Sequence, residues 1–132
     1  MPSHDTTVRM NDVAGLRILL IEDEPIVAVL AEDMLDAIGC VVVATVATVA
    51  EAQAAILSTG FDVAMIDINL DGEDGLLVAD TLRAHGIAYL ITTGYDMRGS
   101  TPRHPDAMIL TKPYALADLE SAILRCTRRT QV

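Results

Sequence analysis

Lysine occurs once in this 132-residue chain, at Lys112, and the remaining basic residues are eight arginines set against nineteen acids. The formal charge is −10. So few cations exclude a broad electrostatic grip on nucleic acid, because phosphate contacts require Lys and Arg in number. Aromatic residues are nearly missing too: Phe61, Tyr89, Tyr95 and Tyr114 are the whole set, and there is no tryptophan. The core must therefore be aliphatic. Two cysteines, Cys40 and Cys126, are too few and too unpatterned for a disulfide scaffold or a zinc site. No apolar run reaches the roughly 18 residues of a membrane span. The first dozen residues lack a charged n-region and an apolar h-region, so no secretory signal is read there. These absences lead to the expectation of a cytoplasmic protein without membrane insertion.

What is present is an alternation. Short aliphatic runs at Arg17–Ile21, Val41–Thr45, Asp62–Ile66, Ile87–Thr92 and Ala107–Leu110 are nearly all apolar, which suits strands buried on both faces of a parallel sheet. Helical segments separate them. Pro25 opens one that Gly39 closes. Thr48 with Glu51 three residues on forms a capping box for another, to about Ser58. Asp74 is expected to begin a third, through His85 with Gly86 at its end. Leu116, Leu119 and Ile123 mark one face of a last helix, Ala115 to about Arg129. Gly99, Pro102 and Pro105 make a regular helix between the fourth and fifth strands doubtful, so a short or irregular turn is expected there. Residues 1–14 read as a disordered tail and 15–132 as one domain with no output domain.

This alternation implies a doubly wound α/β fold, a five-stranded parallel sheet of flavodoxin-like order 2-1-3-4-5. Its crevice lies at the carboxyl ends of the first and third strands, so the polar residues there should converge. Glu22, Asp23 and Glu24 follow the first strand and contain no glycine for a phosphate-binding turn, which disfavours a nucleotide site. Asp67, Ile68 and Asn69 follow the third; Thr93 and Gly94 follow the fourth; Lys112 and Pro113 follow the fifth. Two carboxylates about 4 Å apart repel by roughly 4 kcal/mol at an effective dielectric near 20. A hard divalent cation offsets this, and Mg²⁺ takes one or two carboxylates, waters and a phosphate oxygen. A carboxylate flanked by a metal, a lysine and a hydroxyl is equipped to take up a phosphoryl group.

Leu-Leu-Ile-Glu-Asp-Glu at 19–24, Met-Ile-Asp-Ile-Asn-Leu at 65–70 with Gly72 and Gly75, Thr93-Gly94, and Thr-Lys-Pro-Tyr at 111–114 together resemble the receiver domain of bacterial response regulators. The resemblance runs from about Leu16 to Arg129. It implies that Asp67 is the phosphoacceptor, that Glu22 and Asp23 form the acidic pair of a Mg²⁺ site (Mn²⁺ being an alternative ion), and that Asp23 and Asp67 ligate directly. It further implies that Asn69 offers its backbone carbonyl, that Thr93 and Lys112 bind the phosphoryl group, and that the bond before Pro113 is cis. The partner implied is a sensor histidine kinase or a histidine phosphotransfer protein, and the protein a monomer or weak homodimer that at most phosphorylates itself from small donors and dephosphorylates itself. The switch position three residues before the lysine, commonly aromatic in the family, is Ile109 here. Tyr95, two residues after Thr93, is the alternative switch, and Thr-Gly-Tyr partly resembles the Phe-Ala-Thr-Gly subgroup of stand-alone receivers.

Blander readings exist for each residue alone. Acids are favoured at a helix N-terminus, a loop Asp commonly caps, and a lysine is usually solvated; together these need four coincidences at one sheet edge. His4, His85 and His104 are scattered and read as inert. Six consecutive apolar residues, Ile26–Ala31, exceed what one buried helix face needs, so Val27, Ala28 and Ala31 are expected to line a partner-docking surface. Two rivals remain: a haloacid-dehalogenase-like phosphatase, whose nucleophile instead follows the first strand, and a pseudo-receiver that binds partners without taking phosphate.

Overall fold

The computed structural model describes residues 13–94 and 104–131. Five parallel strands form the sheet: β1 (Arg17–Ile21), β2 (Val41–Val46), β3 (Val63–Asp67), β6 (Ala88–Thr93) and β7 (Met108–Thr111). Their order is β2-β1-β3-β6-β7, the expected doubly wound arrangement. The helices are α1 (Pro25–Ala37), α2 (Val49–Ser58), α3 (Leu76–Ala84) and α4 (Leu116–Gln131). A two-stranded ladder, β4 (Asn69–Leu70) with β5 (Glu73–Asp74), completes the described elements.

Period-2 alternation divides the core. Ile18 and Leu20 of β1 join Val63, Met65 and Leu90 beneath α1 and α4, whereas Leu19 and Ile21 join Ala64, Ile66 and Ile91 beneath α2 and α3. Both faces of the central strands are thus covered, and each fully buried Leu or Ile contributes about 1.5–3 kcal/mol. Half of the expected capping box forms at the N-terminus of α2: Thr48 Oγ1 accepts from the Glu51 amide at 3.0 Å, whereas Glu51 Oε1 accepts from the Ala47 amide at 2.8 Å, one residue before the cap. Among the described residues no helix is long and apolar enough to cross a membrane.

Three expectations need correction. The folded part begins before residue 15: Val13 is wholly buried, its carbonyl accepts from the Cys40 thiol, and the Gly15 amide donates to the Gly39 carbonyl. Helix α3 starts at Leu76, not Asp74, because Glu73 and Asp74 pair back onto Asn69 and Leu70. The turn of that hairpin is Asp71-Gly72, and both residues have positive φ, 53° and 85°, which is what a two-residue hairpin turn of this twist requires. Asp74 stays outside the helix, whose N-cap is Gly75, and its Oδ1 accepts from the Leu76 amide. On α1, Ala28 and Ala31 are buried in the core with Leu35, so they cannot line a docking surface. The outward apolar residues are Ile26, Val29 and Leu30, at 77%, 53% and 58% exposure. The expected tail up to residue 12, Tyr95, and most of the expected irregular turn lie outside the described residues.

Candidate functional site

The C-terminal ends of β1, β3 and β7 bring four of the expected side chains together. β1 delivers Glu22, whose amide continues the ladder to the Val46 carbonyl, and then Asp23. Asp67 is the last residue of β3. The Lys112 amide donates to the Thr93 carbonyl at 2.8 Å, extending the β6–β7 pairing by one residue and carrying the lysine over the crevice. The peptide bond from Lys112 to Pro113 is cis.

Ligand oxygens of Glu22, Asp23 and Asp67 all lie within 4.8 Å of one another. At that separation each ionised pair repels by roughly 3 kcal/mol at an effective dielectric near 20. Lys112 partly offsets this: its Nζ donates to Asp67 Oδ2 at 2.9 Å and to Glu22 Oε1 at 3.0 Å. The other Asp67 oxygen, Oδ1, accepts from the Asn69 amide at 3.0 Å, and Glu22 Oε2 accepts from the Glu24 amide. Burial raises the Glu22 carboxyl above its ordinary range despite the lysine's opposing pull. Burial also works to lower Lys112, but its hydrogen bonds to Asp67 and Glu22 outweigh that and hold the ammonium above its usual value. The lysine therefore stays charged, and one ammonium against three carboxylates leaves an excess of negative charge.

Asp23, Asp67 and Lys112 border a depression of about 580 Å³ that Val27, Asn69 and Gly94 also line, among others. An all-oxygen donor set with unneutralised charge, open to solvent on one side, fits a hard divalent cation such as Mg²⁺ or Mn²⁺. The Asn69 side chain is engaged elsewhere, accepting from the Gly72 amide at 3.0 Å, so only its backbone is left for the ion. Thr93 lies at the end of β6 as expected, but its hydroxyl is fully buried, has no hydrogen-bond partner among the described residues, and does not border the depression. Ile109 pairs with Ile91 across the β6–β7 ladder and is half-buried. Tyr95 is outside the described residues.

Two roles escaped the sequence reading, that of Gly75, named there only within the family motif, and that of His104. A Cβ at Gly75 would stand 2.2 Å from the Asp67 carbonyl oxygen, so only glycine lets the start of α3 approach the end of β3 this closely. The Gly75 amide uses the approach, donating to the Ile68 carbonyl. The Asp71-Gly72 hairpin turn was the available signal that the chain doubles back here. His104 is the second: read as inert, it is 1% exposed and bonded on both ring nitrogens, to Tyr89 and Asp80. Those partners lie 15 and 24 residues away in the chain, and no local pattern could have joined them.

The comparisons agree with this geometry. The profile of the response regulator receiver domain matches residues 18–124. The solution structure of SdrG from Sphingomonas melonis Fr1 is 34% identical, with a TM-score of 0.77 over 85% of this chain and 96% of that one. The receiver (REC) domain of the PhyR response regulator from Erythrobacter litoralis is 26% identical, with a TM-score of 0.74 over 86% and 90% of the two chains. The anti-anti-sigma factor PhyR from Bartonella quintana, 23% identical, shares the fold with a TM-score of 0.82 over 97% of this chain and 54% of its own. No curated protein matches the chain. Sheet order, the acidic cluster beneath a single lysine and a family match spanning most of the described residues lead to one assignment: the chain belongs to the response regulator receiver domain family.

Proposed function

We propose that this receiver takes a phosphoryl group from a phosphohistidine donor onto Asp67 in a Mg²⁺-dependent step, and signals by protein contact or passes the phosphate on. The observation that carries the reading is the placement of Asp67 at the depression with Lys112 Nζ 2.9 Å from Oδ2. A carboxylate oxygen of Asp67 would form the new P–O bond while the P–N bond of the donor breaks, its electron pair staying on the imidazole nitrogen. Lys112 would swing from Glu22 and Asp67 to a phosphoryl oxygen, and Thr93 would donate a hydrogen bond to another. Glu22, Asp23, Asp67 and the Asn69 carbonyl would hold the ion. When bound, a divalent ion supplies positive charge that neutralises the phosphoryl oxygens as the bond forms.

The donor would dock on α1 beside the pocket. Ile26, Val29 and Leu30 form an exposed apolar strip there, and Val27 borders the depression itself. Such a strip at the mouth of a site suits a helical partner that must bring a histidine within bonding distance of Asp67.

The test is intact-mass measurement after incubation with acetyl phosphate and Mg²⁺. Wild type is expected to gain one phosphate that Asp67→Asn does not. No gain, or a gain that survives Asp67→Asn, removes the phosphoacceptor reading and leaves a pseudo-receiver that acts by binding alone.

A further inference from the structure

His104 sits where three elements meet. Its Nδ1 is 2.5 Å from the Tyr89 hydroxyl on β6, and its Nε2 is 2.7 Å from Asp80 Oδ1 on α3. The Tyr89 and His104 rings meet edge to face at 86°, with centroids 5.6 Å apart. A carboxylate only accepts, so His104 Nε2 donates to Asp80, and Nδ1 shares the second hydrogen bond with the Tyr89 hydroxyl. Both nitrogens of a side chain 1% exposed are thus satisfied, and breaking either bond would strand a buried polar atom.

The junction bears on Thr93 through the strand they share. Tyr89, Ile91 and Thr93 alternate onto one face of β6, and Tyr89 and Ile91 pack with the cluster beneath α2 and α3. Thr93 Oγ1 is fully buried, without a partner among the described residues and away from the depression. To meet a phosphoryl group on Asp67 it must leave that position. Across the ladder, Ile109 presents an aliphatic side chain against Ile91. Among the described residues the aromatic side chain on this face is Tyr89 itself, and it is tied down at its hydroxyl.

We infer that the Tyr89–His104–Asp80 junction is a positioning device that holds β6 against α3 with Thr93 withdrawn, and so opposes phosphoryl uptake at Asp67. This rests on the phosphoacceptor reading. A contact stronger in the withdrawn arrangement lowers the apparent affinity for any ligand that needs the other one, by the factor the contact contributes. Loss of one such hydrogen bond corresponds to about three- to tenfold.

The experiment is calorimetric titration of the full chain with beryllofluoride in saturating Mg²⁺, alongside thermal unfolding without ligand. Tyr89→Phe removes only the hydroxyl, and Asp80→Ala breaks the other bond. Each is expected to bind beryllofluoride about three- to tenfold tighter than wild type while melting lower. Asp80→Asn keeps an acceptor oxygen for Nε2–H and is expected to stay within about twofold of wild type. A merely structural junction lowers the melting point without tightening binding, so unchanged or weaker affinity in Tyr89→Phe and Asp80→Ala overturns the inference. Absence of binding by wild type overturns the phosphoacceptor reading, and the role of the junction with it.

Discussion

Glu22 is buried at the end of β1 between the Glu24 amide and the Lys112 ammonium, and burial outweighs the lysine in setting its protonation. A Glu held above its ordinary 4.5 binds more protons folded than unfolded just above that value. Its contribution to stability therefore falls as pH rises through that window. Glutamine cannot ionise, so in metal-free buffer the stability of Glu22→Gln relative to wild type is expected to grow between about pH 4 and about pH 7. Urea unfolding at both values measures it, and parallel pH profiles would show that burial is not the dominant influence. Gly75 supports a sharper expectation. With the Asp67 carbonyl 2.2 Å from any added Cβ, Gly75→Ala must push β3 and α3 apart, at about 1–3 kcal/mol. Because misplacing a reacting group by about 1 Å can cost 10²-fold, phosphate uptake from acetyl phosphate should fall at least tenfold, and wild-type uptake would refute the constraint. At this scale Glu22, Asp23, Asp67 and Lys112 were legible because each ends a strand whose neighbour in the sheet the alternation already identified. Gly75 and His104 were not, since their meaning lies in close approaches between residues distant in the chain.

Helix α1 shows where periodicity stops being informative. Residues 26–31 are apolar all round, so the sequence does not state which third of the surface faces the sheet. Packing decides it: the small side chains of Ala28 and Ala31, with Leu35, sit at the contact, and the larger Ile26, Val29 and Leu30 turn outward. Two substitutions one residue apart should therefore behave oppositely. Leu30→Asp, on the surface, should leave stability within about 0.5 kcal/mol and spare phosphorylation from acetyl phosphate, yet slow transfer from a phosphohistidine protein. Ala31→Asp buries an unpaired carboxylate and should cost 3 kcal/mol or more, read by urea unfolding. Equal loss of both phosphorylation routes in Leu30→Asp would remove α1 as the docking face. The start of α3 was misplaced for a related reason. Asp74 has the composition of an N-cap, but the Asp71-Gly72 turn takes Glu73 and Asp74 into a hairpin before the helix can begin.

Over the whole molecule, the alternation of aliphatic runs and helical segments was enough to indicate a doubly wound parallel sheet and to favour its order, although β2, read as buried on both faces, is an edge strand with Val41 half-exposed. The charge of −10 was harder to interpret, since composition cannot say which carboxylates repel one another. The fold answers this by placing Glu22, Asp23 and Asp67 within 4.8 Å of one another with a single ammonium among them. A cation bound there stabilises the folded chain in proportion to RT ln(1 + [L]/Kd), about 2.7 kcal/mol at a hundredfold excess over Kd. For a domain of this length that is a rise in Tm on the order of 10 °C. Screening of the remaining surface charge by any salt also raises Tm, so the comparison is Mg²⁺ against NaCl at matched ionic strength. Wild type should show the excess with Mg²⁺ and lose it on adding a chelator. Asp23→Asn and Asp67→Asn should each lose most of it, while Asp36→Asn, exposed on the far turn of α1, should keep it. Equal Mg²⁺ shifts in all four proteins would mean that the ion acts on net charge alone, and the three clustered carboxylates would then not be a metal site.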